Sequence, residues 1–386
     1  MFGIRRWSDR ASPLAVEQPS ARAAKNATRR NRFMDPTPCE RLPRPYFVAI
    51  FASECLHIAR VVGRLSMGSF VRAGVIPLLA GCAMTACSAS VDSAQQMAQY
   101  CVAANARSEG SAYPETWIPQ QVVTLGSEIQ PEEAPRVSAH IDGFWIDKFE
   151  TTNAEFERFV DATGYVTFAE RGSAGGAIFR NGQWHLDSTA TWRKPFGAEG
   201  PRAQPHQPVV QVTYEDALAY ARWRGRDLPT EGEWEAAARG GIADAEYAWG
   251  SSSRLEDGRP GANHWQGVFP DLNTDEDGFP TLAPVGCFPP NPYGLYDMTG
   301  NVWELTRDSW KLRTGADAAS TARLNESAPV GAYTIKGGSW LCADNYCRRY
   351  RPAARQPADP SLGTNHIGFR TVKRVPDARR AGMGGE

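Results

Sequence analysis

The chain has 386 residues, with 42 Lys and Arg against 43 Asp and Glu and a formal net charge of -1. That balance leaves no overall basic field for a nucleic-acid backbone, and a hydrophobic share of 42% excludes wholesale disorder. The 36 Gly, 28 Pro and 12 Trp point to a loop-rich fold pinned by large aromatics rather than to long helices or regular sheets.

Residues 1–66 carry twelve basic side chains against five acidic ones. They lack helical or alternating apolar period and read as a disordered basic arm or as sequence upstream of the true start. The text changes over residues 67–87, where Arg72 precedes an apolar run that ends at Leu79-Ala80-Gly81-Cys82. The run from Ala73 to Gly81 is too short to span a bilayer, but suits the core of an export signal beside a small-residue cleavage site. Residues 88–116 are small and polar, as in a linker. Eleven of the twelve Trp lie from Trp117 onward, so a folded domain is expected over 117–377 and a tail over 378–386.

Inside that domain, Val122 to Gly126 and Gly143 to Asp147 read as short strands bounded by Gly and polar residues. Thr152 or Asn153 can cap a helix through Glu155 to Val160, with Phe156, Phe159 and Val160 on one face and Gly164 as the stop. Thr213 opens a second helix with Ala217, Tyr220, Ala221 and Trp223 inside, ending at Gly225. Thr230-Glu231-Gly232-Glu233 is a capping box for a third, which Gly240 ends. Beyond it only brief pieces such as Tyr333 to Ile335 suggest strands, so the expected class is α+β with much irregular structure.

Two cysteines dominate the candidate chemistry. Cys342 and Cys347 stand five apart on a segment led by Gly337-Gly338, which can fold back so that the sulfurs meet. A disulfide, a soft-metal site and two unrelated thiols are all compatible with that spacing. Arg348, Arg349, Arg351 and Arg355 nearby would favour thiolate, and two thiolates without a local His suit Cu(I) better than Zn(II). Asn263-His264 together with Asn273 to Phe279 offers hard oxygen donors, similar to the first half of an EF-hand loop, although Leu282 stands where the distal Glu is wanted. Asp297 to Glu304 makes a second acidic turn. Taken alone, both also read as solvated turns. Trp145, Trp223, Trp234, Trp249, Trp303 and Trp340 read as core or groove walls. No phosphate-binding loop, dinucleotide fingerprint or Ser-His-Asp order is present.

Five blocks then make a resemblance: Gly143 to Phe156, Arg226 to Glu235, Asn291 to Glu304, Lys336 to Cys342, and Gly368-Phe369-Arg370. Together they resemble the formylglycine-generating enzyme family, the sulfatase-modifying factors. The resemblance implies an irregular α+β fold related to C-type lectins, with bound structural Ca2+. It implies an oxidase that uses O2 and Cu(I) to convert the Cys of a Cys-x-Pro-x-Arg motif in an unfolded sulfatase to Cα-formylglycine.

Carried over by position, Cys342 and Cys347 would ligate copper; Ser339, Tyr346, Arg355 and His366 would line the substrate groove, and Trp303 would shape the oxygen pocket. Calcium would be held by Asn263, His264, Asp277 and Phe279, and by Asp297, Gly300, Val302 and Glu304. The stretch Arg171 to Gly176 lacks an acidic residue that vertebrate members place near the substrate, and His366 stands where Asn is common. Leu79 to Cys82 resembles a bacterial lipobox, implying an exported monomer lipid-anchored at Cys82, with a cytoplasmic protein as the alternative. The rival function is a non-catalytic lipoprotein of the same superfamily, acting as a binding or structural module.

Overall fold

The structure, a computed structural model, describes residues 101, 113–171, 175–312 and 328–375. The basic arm, the signal-like segment with Cys82 and the C-terminal tail lie outside the described residues. In chain order the elements are β1 (Glu115–Ile118), β2 (Gln121–Leu125), β3 (Val137–Ile141), β4 (Phe144–Asp147), α1 (Asn153–Thr163), α2 (Phe168–Arg171), β5 (Gly176–Arg180), β6 (Gln183–Asp187), α3 (Tyr214–Trp223), α4 (Glu231–Arg239), β7 (Gly267–Val268), β8 (Leu272–Asn273), β9 (Trp303–Ser309), β10 (Tyr333–Lys336), β11 (Arg355–Ala358), β12 (Ile367–Gly368) and β13 (Val372–Arg374). The chain is α+β, with two small sheets, β1-β4-β13 and β11-β10-β9-β12, three hairpins, and long irregular connections.

Each of the three longer helices starts the same way. Thr152, Thr213 and Thr230 accept from the backbone N–H three residues on, while Glu155, Asp216 and Glu233 reach back to the cap N–H. These reciprocal bonds satisfy amides that the first turn would otherwise leave open. Gly164 and Gly240 close α1 and α4 in the left-handed conformation. One expectation fails on α3: Trp223, in its last turn, is 39% exposed rather than inside.

Phe156 and Phe159 of α1 pack on Tyr220 of α3 and join a cluster with Trp192, Phe369, Trp303, Tyr350, Cys342 and Cys347. The cysteine pair therefore rests on the main core. Trp234 of α4 centres a second cluster with Phe144, Ile146 and Met298. The folded region also begins ahead of the expected boundary at 117, because β1 opens at Glu115 and Cys101 is disulfide-bonded to Cys287. Residue 101, read from sequence as linker, is thus stapled to the domain.

Candidate active site

β10 delivers the chain into Gly337 and Gly338, both at positive φ. A Cβ on Gly337 would lie 2.8 Å from the Trp234 ring, and one on Gly338 would lie 2.4 Å from the Arg349 carbonyl, so only glycine lets the loop double back here. The Cys342 N–H then donates to the Ser339 carbonyl at 2.9 Å, and the N–H groups of Tyr346, Cys347 and Arg348 converge on the Ala343 carbonyl at 3.2, 3.1 and 2.9 Å. That turn returns Cys347 to Cys342. Both thiols are free and buried, 8% and 2% exposed respectively, which removes the disulfide from the three sequence alternatives.

The two sulfurs are inequivalent. A hydrogen bond from Cys342 holds the Cys347 pKa down to about 7, helped by the Arg349 and Ala343 N–H groups. Burial pushes Cys342 well above its ordinary value, and the Ser339 N–H points at its sulfur from 3.5 Å. Of the two, Cys347 is thus the one that ionises first, while Cys342 keeps its proton to higher pH. The buried Ser339 hydroxyl accepts from the Leu341 N–H at 3.3 Å and so shapes the turn.

The expected arginine field is mostly spent elsewhere. Arg348 pairs with Glu246 at 2.8 Å, Arg351 with Glu133 at 2.5 Å, and Arg355 with Glu231 at 2.9 Å. Of the four, Arg349 is the one whose charge acts on Cys347. Arg355, expected in the groove, lies buried on β11, held by the Lys311 and Glu132 carbonyls and stacked on Trp310.

Trp303 opens β9, is 2% exposed, and donates its backbone N–H to the His366 carbonyl at 2.9 Å. Tyr346, 64% exposed, stacks on Phe269 at 4.4 Å; Phe269 stacks on Phe179, Phe179 meets Trp184, and Trp184 meets the His366 ring at 4.8 Å. An aromatic strip therefore runs from beside Cys347 to His366. Sequence reading missed Phe179, Trp184 and Phe269. The Asn181-Gly182 pair, a strong hairpin signal, marks the β5-β6 ribbon that brings the first two there.

The two acidic turns meet beneath the cysteine loop. The Asn263 carbonyl accepts the Asn301 N–H at 2.8 Å; the Gly300 N–H donates to Gly337 at 3.0 Å, the Trp340 N–H to Asn301 at 2.9 Å, and the Trp265 N–H to the Cys342 carbonyl at 3.0 Å. In the first turn, Asn263 Oδ1 is buried without a partner, and burial raises Asp277 to about 6. This orphaned acceptor beside a buried carboxylate fits a hard cation. The likeness to an EF-hand goes no further than the loop, since the short strand β8 and not a helix leads into it.

In the second turn, Asp297 is raised to about 7 by burial, and Glu304 is paired with Arg370. Glu150, fully buried, joins them; burial and the neighbouring Asp297 and Glu304 raise its pKa well above normal. Three carboxylates around one guanidinium lack positive charge, so this set also fits a cation, with Glu150 as a member that sequence reading missed. Among the described residues no three His, Cys, Asp or Glu side chains cluster at metal-binding spacing, so a cation at either turn would need backbone carbonyls as well.

The irregular α+β fold thus carries a buried pair of free thiols at its diglycine loop. A family model, the Sulfatase-modifying factor enzyme 1-like domain, matches residues 102–375, and the chain belongs to that family. It is 44% identical over 274 residues to the formylglycine-generating enzyme of Mycobacterium tuberculosis, covering 63% of this chain and 91% of that one. It is 37% identical over 258 residues to a Mus musculus protein named inactive C-alpha-formylglycine-generating enzyme 2, covering 62% and 77%. The structure of PvdO from Pseudomonas aeruginosa matches with a TM-score of 0.50 at 23% identity, covering 68% and 94%, which speaks for the fold alone.

Proposed function

We propose that this chain oxidises the Cys of a Cys-x-Pro-x-Arg segment in an unfolded sulfatase to Cα-formylglycine, with O2 as acceptor. The observation that carries the reading is the buried pair of free thiols, Cys342 and Cys347, sharing one hydrogen bond in a chain 44% identical to a formylglycine-generating enzyme. A thiol beside a thiolate is a donor set suited to Cu(I), which when bound would supply the oxygen chemistry. Cys342 and Cys347 would hold it, and Ser339 would keep their turn closed. Trp303, buried in the same core cluster as the pair, would help to keep water from it, and the strip from Tyr346 to Trp184 would hold the peptide's apolar residues. Calcium at the two acidic turns would be structural, since both turns buttress the cysteine loop.

Export is supported by the Cys101–Cys287 disulfide, which belongs to an oxidising compartment; the lipid anchor at Cys82 is read from the lipobox-like Leu79 to Cys82 alone. Copper-loaded protein incubated aerobically with a Cys-x-Pro-x-Arg peptide and reductant should show the mass loss of thiol-to-aldehyde conversion. No conversion would favour the non-catalytic binding module.

A further inference from the structure

The segment after β2 reaches across the fold to the cysteine loop. Glu132 and Glu133 are 4% and 0% exposed, and each takes one arginine from that loop. Arg349 donates through Nε and Nη2 to Glu132 Oε1 at 2.9 and 2.6 Å, and Arg351 donates to both Glu133 oxygens at 2.9 and 2.5 Å. Gln130 Nε2 reaches the Cys347 carbonyl at 3.5 Å, and Arg355 fixes the Glu132 carbonyl from the other side at 3.1 Å. The two ion pairs are adjacent in sequence but differ in what they touch. Arg349 faces the Cys347 sulfur with its charge and its backbone N–H. Arg351 instead reaches the Arg348 carbonyl and Ser127.

We infer that Glu132 is a positioning residue for the thiol pair: by fixing the Arg349 guanidinium it fixes the turn that presents Cys347 to Cys342. This rests on the reading of the pair as a Cu(I) site and adds the element that sets its spacing. A planar guanidinium held by two charge-assisted hydrogen bonds has little freedom to swing. The turn it anchors contains Arg348 at φ 45°, a conformation a non-glycine residue keeps only when its surroundings impose it. Removing the Glu132 charge leaves the guanidinium to seek water, and the strained turn can then relax away from Cys342.

Two measurements on the full chain test this. One is Cu(I) affinity by competition with a chromogenic Cu(I) chelator. The other uses metal-free protein and the rate at which diamide closes Cys342 and Cys347 to a disulfide, the two thiol hydrogens passing to the azo reagent. Glu132→Gln should weaken Cu(I) binding and slow closure about tenfold each, with Glu132→Asp recovering part of both, while Glu133→Gln should lower the melting temperature but change both readings less than about twofold. Equal effects of Glu132→Gln and Glu133→Gln, or no effect of Glu132→Gln, overturn the inference. If the unmutated protein takes up no Cu(I), the copper reading fails by itself and the closure rates decide the positioning role.

Discussion

Cys347 owes its acidity first to its neighbour: Cys342 donates to it, and the Arg349 charge and local N–H groups come after. Its pKa is lowered, so the thiolate is the majority form above about pH 7 instead of only at more alkaline pH. Metal-free protein should therefore react with iodoacetamide at a rate that climbs through about pH 7 and then levels, whereas an unperturbed thiol goes on climbing through pH ~8.5. Cys342→Ala removes the principal donor, and the midpoint should move back toward the ordinary value. A midpoint that stays put would assign the lowered pKa to Arg349 instead. The same variant should lower kcat/KM for the Cys-x-Pro-x-Arg peptide at least ~100-fold, because one thiolate alone does not make a two-coordinate soft site.

At the scale of elements, α4 joins local and distant structure. Its capping box is local, and Thr230→Ala should cost about 1 kcal/mol in urea denaturation, with the pair's reactivity unchanged. Glu235, 0% exposed, binds Lys336 of β10 at 3.0 Å and Arg239 at 2.7 Å, so Glu235→Ala takes the shared carboxylate from two buried cations at once. About 3–5 kcal/mol should be lost, measured the same way. This contrast explains what could be read in advance. All three helix starts and the three glycine stops, Gly164, Gly225 and Gly240, each at positive φ, were legible, because a cap depends on residues close in sequence. β9 was not: beyond Trp303-Glu304-Leu305 it runs polar through Thr306 to Ser309 and lies next to a Gly-Asn turn, and it becomes a strand through pairing with β10 and parallel pairing with β12. The cysteine pair was legible through its glycines and spacing. Glu132, Glu133 and Glu150 were not, since their partners lie far along the chain and nothing near them in sequence announces burial.

For the whole molecule, the Cys101–Cys287 link spans 186 residues, and such a crosslink stabilises chiefly by restricting the unfolded chain. Cys101→Ala should lower the unfolding free energy by up to ~5 kcal/mol on that loop-entropy model, and dithiothreitol should reproduce the loss in the unmutated protein. The two acidic turns supply an opposite, pH-dependent contribution. Asp277 and Asp297 titrate at about 6 and about 7 in the fold because burial disfavours their charge. Without a cation, the folded chain thus holds protons that the unfolded chain releases above about pH 4, and stability must fall as pH rises toward 7.

The loss is at most on the order of 3 kcal/mol for Asp277 and ~4 kcal/mol for Asp297, since each tenfold weakening of an acid in the fold is worth ~1.4 kcal/mol. Bound calcium would keep both groups ionised and remove that penalty. The melting temperature of chelated protein should therefore drop between about pH 4 and about pH 7, while that of calcium-loaded protein holds, so the gap widens with pH over that range. Asp297→Asn should flatten the chelated curve and narrow the gap together, since it removes the buried charge and a cation ligand in one change. A gap that is constant across the range would mean that calcium, if bound, sits away from these two carboxylates, and that the buttress beneath the cysteine loop is held by hydrogen bonds alone.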